Sequence, residues 1–351
     1  MTTAWTLTRS LDRIRLLSDL TPGDSNLDHQ ALRVEVLAEV GRIVPFDAFV
    51  WPLCDPVTAT GIAPRARIPC PEELPLVIRL KYVSLPARWT GLAASGAQAT
   101  TLLHATDGDL SKSLLWNGVL RRYGIADILS TVFADKHGCW GWLDLWRRDG
   151  QDPFSDTEAG YLADVAKELT PALRRSIARQ FEAIKRDKRR LPDDPVATLP
   201  NGDKGRGELP PQAVLTLDEE MAVVGETAST REWLELLQPG PRPFQAVPAE
   251  VLNVAAQLLA REAGVDDHDA GARVHIGSGR WAMLRASRMA SAGSGSTPPL
   301  AVTIQECPPA ARLDMFARSF GLTPRQRELL ELASAGASTC LYGPGPVQTD
   351  L

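Results

Sequence analysis

The sequence predicts an α+β protein, with two antiparallel-sheet domains in tandem and a short all-helical end. Three observations carry that expectation. In the first half, two strand-like runs, Ile125–Ala134 and Cys139–Arg147, flank the charged turn Asp135-Lys136-His137-Gly138, the pattern of a hairpin. In the second half, Ala213–Val224 reads as strand, acidic turn and strand, and three further strand-like runs follow. Between the halves lies Leu191–Gln212, with five prolines, three glycines and almost nothing to bury.

Composition bounds the class. A chain of 351 residues suggests two or three domains. Its 44% hydrophobic and 23% charged residues are those of an ordinary soluble globular protein. A net charge of −5 and a pI of 5.7 exclude a global basic field, so any affinity for nucleic acid must be local. The five cysteines (Cys54, Cys70, Cys139, Cys307, Cys340) are scattered without a C-x-x-C pair and read as reduced thiols. Arg9, Asp12, Arg13 and Arg15 among the first leucines rule out a signal peptide there, and no run of 18 apolar residues suggests a membrane span. A cytoplasmic location, with no membrane partner, is expected.

In chain order, Leu11, Ile14 and Leu17 begin a helix that Thr21-Pro22-Gly23 ends. Leu32, Val36, Leu37, Val40 and Ile43 mark a second, stopped by Pro45. Phe46–Leu53 reads as a strand, the proline-rich stretch after it as irregular, and Glu72–Val83 as helix. The strand Cys139–Arg147 sets Trp140, Trp142, Asp144 and Trp146 on one face and Gly141, Leu143 and Leu145 on the other. Both faces are apolar, so it should be covered on both sides. Ser155 and Glu158 form the capping box of a long helix whose stripe is Leu162, Ala166, Leu169, Leu173, Ile177 and Ile184. Pro171 is expected to kink or restart that helix. The stripe fits either a helix pairing two protomers or packing on the preceding sheet. The basic run Arg174–Arg190 fits either a phosphate-touching patch or a solvated linker helix.

Helices over Thr227–Leu237 and around Val251–Leu259 follow, then strands over Ala272–Ile276, Arg280–Met289 and Leu300–Ile304. Gly277-Ser278-Gly279 reads as a hairpin turn rather than a dinucleotide fingerprint, because no helix opens after it. Asp266-Asp267-His268-Asp269 reads as a solvated loop. The five histidines show no metal-ligand spacing, and no G-x-S-x-G elbow, P-loop, H-E-x-x-H or kinase motif is present. No enzyme, metal or cofactor is expected. Trp51, Trp116, Trp140 and Trp142 are the candidates for a small-molecule pocket in the first domain.

Two helices, a strand, a hairpin and Asp-Pro-Phe-Ser-Asp-Thr-Glu before a closing helix resemble a GAF domain, over 10–180. The basic helix end and the linker fill 181–212. Residues 213–308 resemble a PAS domain. The segment 309–339 connects to Leu322-Thr323-Pro324-Arg325-Gln326-Arg327-Glu328-Leu329-Leu330, with Ser338-Thr339 after Gly336. That wording resembles the opening of a LuxR-type helix-turn-helix domain, with Gln326 where the family usually has Glu. The tail 340–351 departs from the family, since Gly343-Pro344-Gly345-Pro346 cannot be helical. The resemblance implies a bacterial transcription regulator that binds DNA as a homodimer under sensor control. It places Thr323, Arg325, Arg327, Ser338 and Thr339 in the DNA-binding remnant, and the DNA-reading helices are expected to be missing, as in a truncated chain. The alternative is a ligand- or partner-binding dimerisation module without DNA.

Overall fold

A computed structural model describes residues 4–19, 29–189, 208–238, 247–290 and 297–334, and for 182–189 the backbone course alone. The first unit begins with α1 (Ala4–Asp19) and α2 (His29–Ile43), then β1 (Ala48–Cys54) and β2 (Gly61–Arg67). Next come α3 (Leu74–Val83), α4 (Trp89–Ser95), β3 (Ala99–Thr101), α5 (Leu102–Ala105) and α6 (Leu114–Gly118). The hairpin β4 (Ile125–Asp135) and β5 (Gly138–Arg148) leads into α7 (Asp156–Arg189). The second unit comprises β6 (Ala213–Leu217), β7 (Val223–Glu226), α8 (Thr230–Leu237), α9 (Ala249–Glu262), β8 (Gly271–His275), β9 (Trp281–Arg288) and β10 (Leu300–Glu306). Two helices follow, α10 (Pro309–Ser319) and α11 (Pro324–Ser334).

The chain is thus α+β with two antiparallel five-stranded sheets, ordered β2-β1-β5-β4-β3 and β7-β6-β10-β9-β8. Both sheets follow one plan: the second, first, fifth, fourth and third strand of each unit lie side by side. β5 is buried from Cys139 to Arg147, as its apolar faces predict. One face packs Trp51, Phe133, Leu143 and Leu145 toward the helices; α7 lies along β4, and α1 lies along α7. The other face carries Val50, Trp142, Asp144 and Trp146.

Three expectations need correction. The proline-rich stretch after Leu53 is not irregular: it contains β2, which tolerates Pro64 because it is an edge strand. α7 runs unbroken through Pro171. The proline removes one backbone donor, but Leu169, Thr170, Ala172 and Leu173 are all buried, so packing holds both halves in line. The stripe Leu162, Ala166, Leu169, Leu173 and Ile177 is consumed inside the chain. The third correction concerns Asp266, whose side chain is 2% exposed rather than solvated. The capping box is formed: Ser155 N–H donates to Glu158 Oε2 (2.8 Å) and Glu158 N–H to Ser155 Oγ (3.3 Å).

The two units share one continuous core, because α9 lies both on its own sheet and against α3 and β2 of the first unit. β2 is irregular: its register with β1 shifts between Trp51 and Leu53, and Ala63 has φ 44°. Buried Arg33 fills the irregularity, donating to Trp51 O (2.7 Å) and Ala63 O (2.9 Å). From the other side, Ala63 N–H donates to Glu250 Oε1 (3.1 Å), and Asn253 Nδ2 donates to Gly61 O (2.9 Å). An edge strand with unpaired backbone groups is thereby covered by a helix. A Cβ on Gly61 would lie 2.8 Å from both Asn253 Nδ2 and Trp142 Cη2, so only glycine admits this approach.

Candidate functional site

Where the first sheet, α3 and α9 meet, they enclose a cavity of about 400 Å³. Its floor is Trp142, Asp144 and Trp146 of β5, with Val50 and Pro52 of β1. α3 supplies Leu74, Val77, Ile78, Lys81 and Tyr82 as one wall. Gln238, Ala249 and Asn253 reach in from the second unit, and Pro64, Ala66 and Arg67 of β2 stand exposed at the mouth. Largely apolar walls with a few placed polar groups are what a small-molecule site needs.

The polar groups are ordered from below. Lys81 Nζ pairs with Asp144 Oδ2 at 2.7 Å, with side chains 12% and 2% exposed. Ser130 Oγ donates to the other carboxylate oxygen, Asp144 Oδ1, at 2.8 Å. Tyr82 Oη accepts from Gly61 N–H at 2.9 Å, and burial pushes its phenol well above the ordinary tyrosine range. The indole N–H groups of Trp142 and Trp146 have no hydrogen-bond partner among the described residues, although both residues are buried. Trp51 and Trp281 share that lack but do not line this cavity.

Behind the floor stands a stack. Trp142 lies on Trp89 with centroids 4.0 Å apart and planes at 9°, and Tyr82 meets Trp89 edge-on. The Arg88 guanidinium sits 4.3 Å over the far side of the layer, on Trp89. Arg88 then crosses to the second unit, pairing with Asp266 Oδ2 (2.9 Å) and donating to Gln257 Oε1 (3.1 Å). Asp266 also accepts from Thr90 Oγ1 and from His268 N–H, and its Oδ1 lies 2.7 Å from His268 Nδ1. Burial opposes its charge, but the His268 ring and backbone N–H, Arg88 and Thr90 hold it well below the usual carboxylate range. The acid cluster at 266–269 therefore clasps a guanidinium from a residue 178 positions away.

The four tryptophans expected at a pocket are not brought together. Trp142 lines the cavity. Trp51 stacks on Phe133 on the opposite face, 5.4 Å between centroids. Trp140 donates Nε1–H to Asp135 Oδ1, whose other oxygen holds Arg174 of α7. Trp116 donates to Ile125 O and packs in the satellite core. Lys81 and Arg88 escaped the sequence reading, which set Trp146 on one strand face with Trp142 but not among the pocket candidates. The legible signal was Asp144, an acid between two tryptophans in a strand apolar on both faces, which demands a buried cation.

No protein-family model matches this chain, and no curated protein sequence matches it.

At the other end, Thr323 and Gln326 form a capping box on α11: Thr323 N–H donates to Gln326 Oε1 (2.9 Å) and Gln326 N–H to Thr323 Oγ1 (3.3 Å). Glutamine therefore serves as well as glutamate there. Arg325 is exposed, whereas Arg327 is held by Asp314 of α10 at 2.5 Å and Glu331 at 3.0 Å. Ser338 and Thr339 lie outside the described residues. α11 buries no residue, and Leu329 and Leu332 are 49% and 47% exposed. α10 ties this end to both units. Arg318 donates to His137 O of the β4–β5 turn (3.0 Å), and Phe316 meets Phe181 of α7, which stacks on Trp281.

Proposed function

We propose that this chain is a cytoplasmic transcription regulator of LuxR type, controlled by a small molecule held in the cavity between its GAF-like and PAS-like units. One observation carries the reading: the cavity is walled by both units, so a ligand there touches each and biases how they sit. The Trp142–Trp89–Arg88–Asp266 stack runs from its floor into the second unit and supports that coupling. The capped helix α11, joined to both units through α10, supports the regulator half of the reading. Homodimerisation, implied by the family, would need a surface other than the α7 stripe, which is spent within the chain.

The alternative, a ligand- or partner-binding module without DNA, is favoured by the engagement of Arg327 with Asp314 and Glu331, which leaves Arg325 as the exposed cation of the pair. A gel shift across salt separates the two. The present chain is expected to give only weak, sequence-blind binding that fades as salt rises. Replacing the residues after Thr339 with the two DNA-reading helices of the family should create binding to one promoter fragment that unrelated DNA does not compete away. If that extended chain still ignores sequence, the regulator reading falls and the module reading stands.

A further inference from the structure

We propose that His137 makes the seat of the C-terminal arm, α10 with α11, sensitive to acid: protonating its ring loosens the arm from the hairpin tip of the first unit. This attachment is the same whether or not α11 serves DNA.

α10 ends in a Schellman motif. Leu322 N–H donates to Ala317 O (2.9 Å) and Gly321 N–H to Arg318 O (3.0 Å), with Gly321 at φ 64°. The chain turns there toward α11, and the His137 ring lies against the turn. A Cβ on Gly321 would sit 3.5 Å from His137 Nε2 and 3.6 Å from Cε1. Beside it, Arg318 donates to His137 O at 3.0 Å. One residue of the β4–β5 turn thus meets the α10–α11 corner with both its ring and its carbonyl. Farther back on α10, Phe316 on Phe181 is an apolar contact that acid leaves alone, so the corner loosens while the arm stays attached.

The charged groups facing the ring are Arg174 of α7, Asp135 and Lys136 of the turn, and Arg318 of α10. Asp135, the acid of the set, is already committed. Its Oδ1 accepts from His137 N–H (2.8 Å) and Trp140 Nε1–H (3.0 Å), and its Oδ2 holds Arg174 (2.8 Å). Asp314, behind Arg318, is shared between Arg318 (3.1 Å) and Arg327 of α11 (2.5 Å). An imidazolium at 137 therefore enters as a further cation among arginines whose acids are spent. Burial first, then Arg174, hold the ring below the ordinary 6.5, with Lys136 and Arg318 adding and Asp135 opposing. Above that ordinary value the ring is neutral whether the corner is seated or not, and seating is complete. As pH falls below it, the unseated corner takes the proton more readily, and seating weakens until the seated ring is protonated too.

Hydrogen exchange of the full chain, corrected for intrinsic rates, reads the arm through the amides of 309–334 at about pH 7.5 and about pH 5.5. In acid the wild-type arm should exchange about two- to fivefold faster, a modest factor because water screens a partly exposed ring. His137→Gln should remove that acid effect. His137→Lys, a permanent cation, should bring it on at about pH 7.5. The His268 clasp titrates alike in all three chains and cancels from the comparison. Magnetic resonance of the wild-type ring gives a reading that needs no variant to fold: it should titrate below 6.5, and Arg318→Gln should raise it. An acid effect of equal size in His137→Gln overturns the proposal. So does a His137→Lys arm as protected as the wild type at about pH 7.5, or a wild-type ring that titrates at or above 6.5.

Discussion

Arg88 shows how far one side chain can act. It closes a tryptophan stack on one side and meets a carboxylate of the other unit on the opposite side, with both charged groups 2% exposed. Such a pair is weak evidence of net stabilisation, yet removing one partner strands the other. Asp266→Ala is therefore expected to cost about 3–5 kcal/mol, measured by denaturant unfolding. His268 adds a pH dependence. Its hydrogen bond to Asp266 raises it above the ordinary 6.5 despite burial, with Arg88 opposing and Asp267 assisting. A histidine raised on folding stabilises fully below its unfolded value and loses that contribution as pH climbs through the folded one. Asp266, depressed on folding, contributes above the ordinary 3.8 and loses it as pH falls. The clasp is thus strongest between those two ordinary values, 3.8 and 6.5. Melting temperature should fall as pH rises from about 6 to about 8, and His268→Ala should flatten that slope. An unchanged slope in the variant would show that His268 does not couple.

Among the elements, α7 makes the sharpest demand. Its stripe is buried against α1 and the first sheet, with Leu162, Leu169, Leu173 and Ile177 all at 0% exposure. Leu173→Ala should cost about 2–5 kcal/mol through the cavity it leaves, with no change in mass in solution. A change in self-association at unchanged stability would mean that α7 is shared between copies. α11 is the opposite case. Good capping at Thr323 and Gln326, with Arg327 tied to Asp314 and Glu331, makes a helix, but these polar contacts leave Leu329 and Leu332 in water.

At the scale of the whole molecule, the two sheets are joined by more than the stretch between them. Arg273 grips the fully buried Asp55 with two bonds of 2.6 Å, and Thr58 Oγ1 donates to Gly271 O at 2.7 Å. With Arg88–Asp266 and the α9–β2 contacts, these give one core across both units. Limited proteolysis is expected to cut within Leu191–Gln212, where prolines and glycines leave little to bury. The two fragments should then co-elute and unfold in a single transition. Fragments that separate on a sizing column would show that the seam adds little.

Much of the local structure was legible in the chain. The hairpin around Asp135–Gly138, the Ser155–Glu158 box, the turn at Gly277–Gly279 and the capped α11 each rest on contacts within a few residues, so spacing and turn chemistry suffice to predict them. β2 was hidden because an edge strand tolerates proline, and Pro171 misled because burial on both sides outweighs one lost hydrogen bond. The cavity belongs to tertiary structure alone. Its parts come from β1, β2, α3, β5 and α9, and Asp144 finds Lys81, Trp142 finds Trp89, and Asp266 finds Arg88 only once those elements pack. Periodicity reports which face of an element is buried. It does not report which distant residue supplies the opposite charge, and that pairing is what made a solvated-looking acid cluster into a clasp.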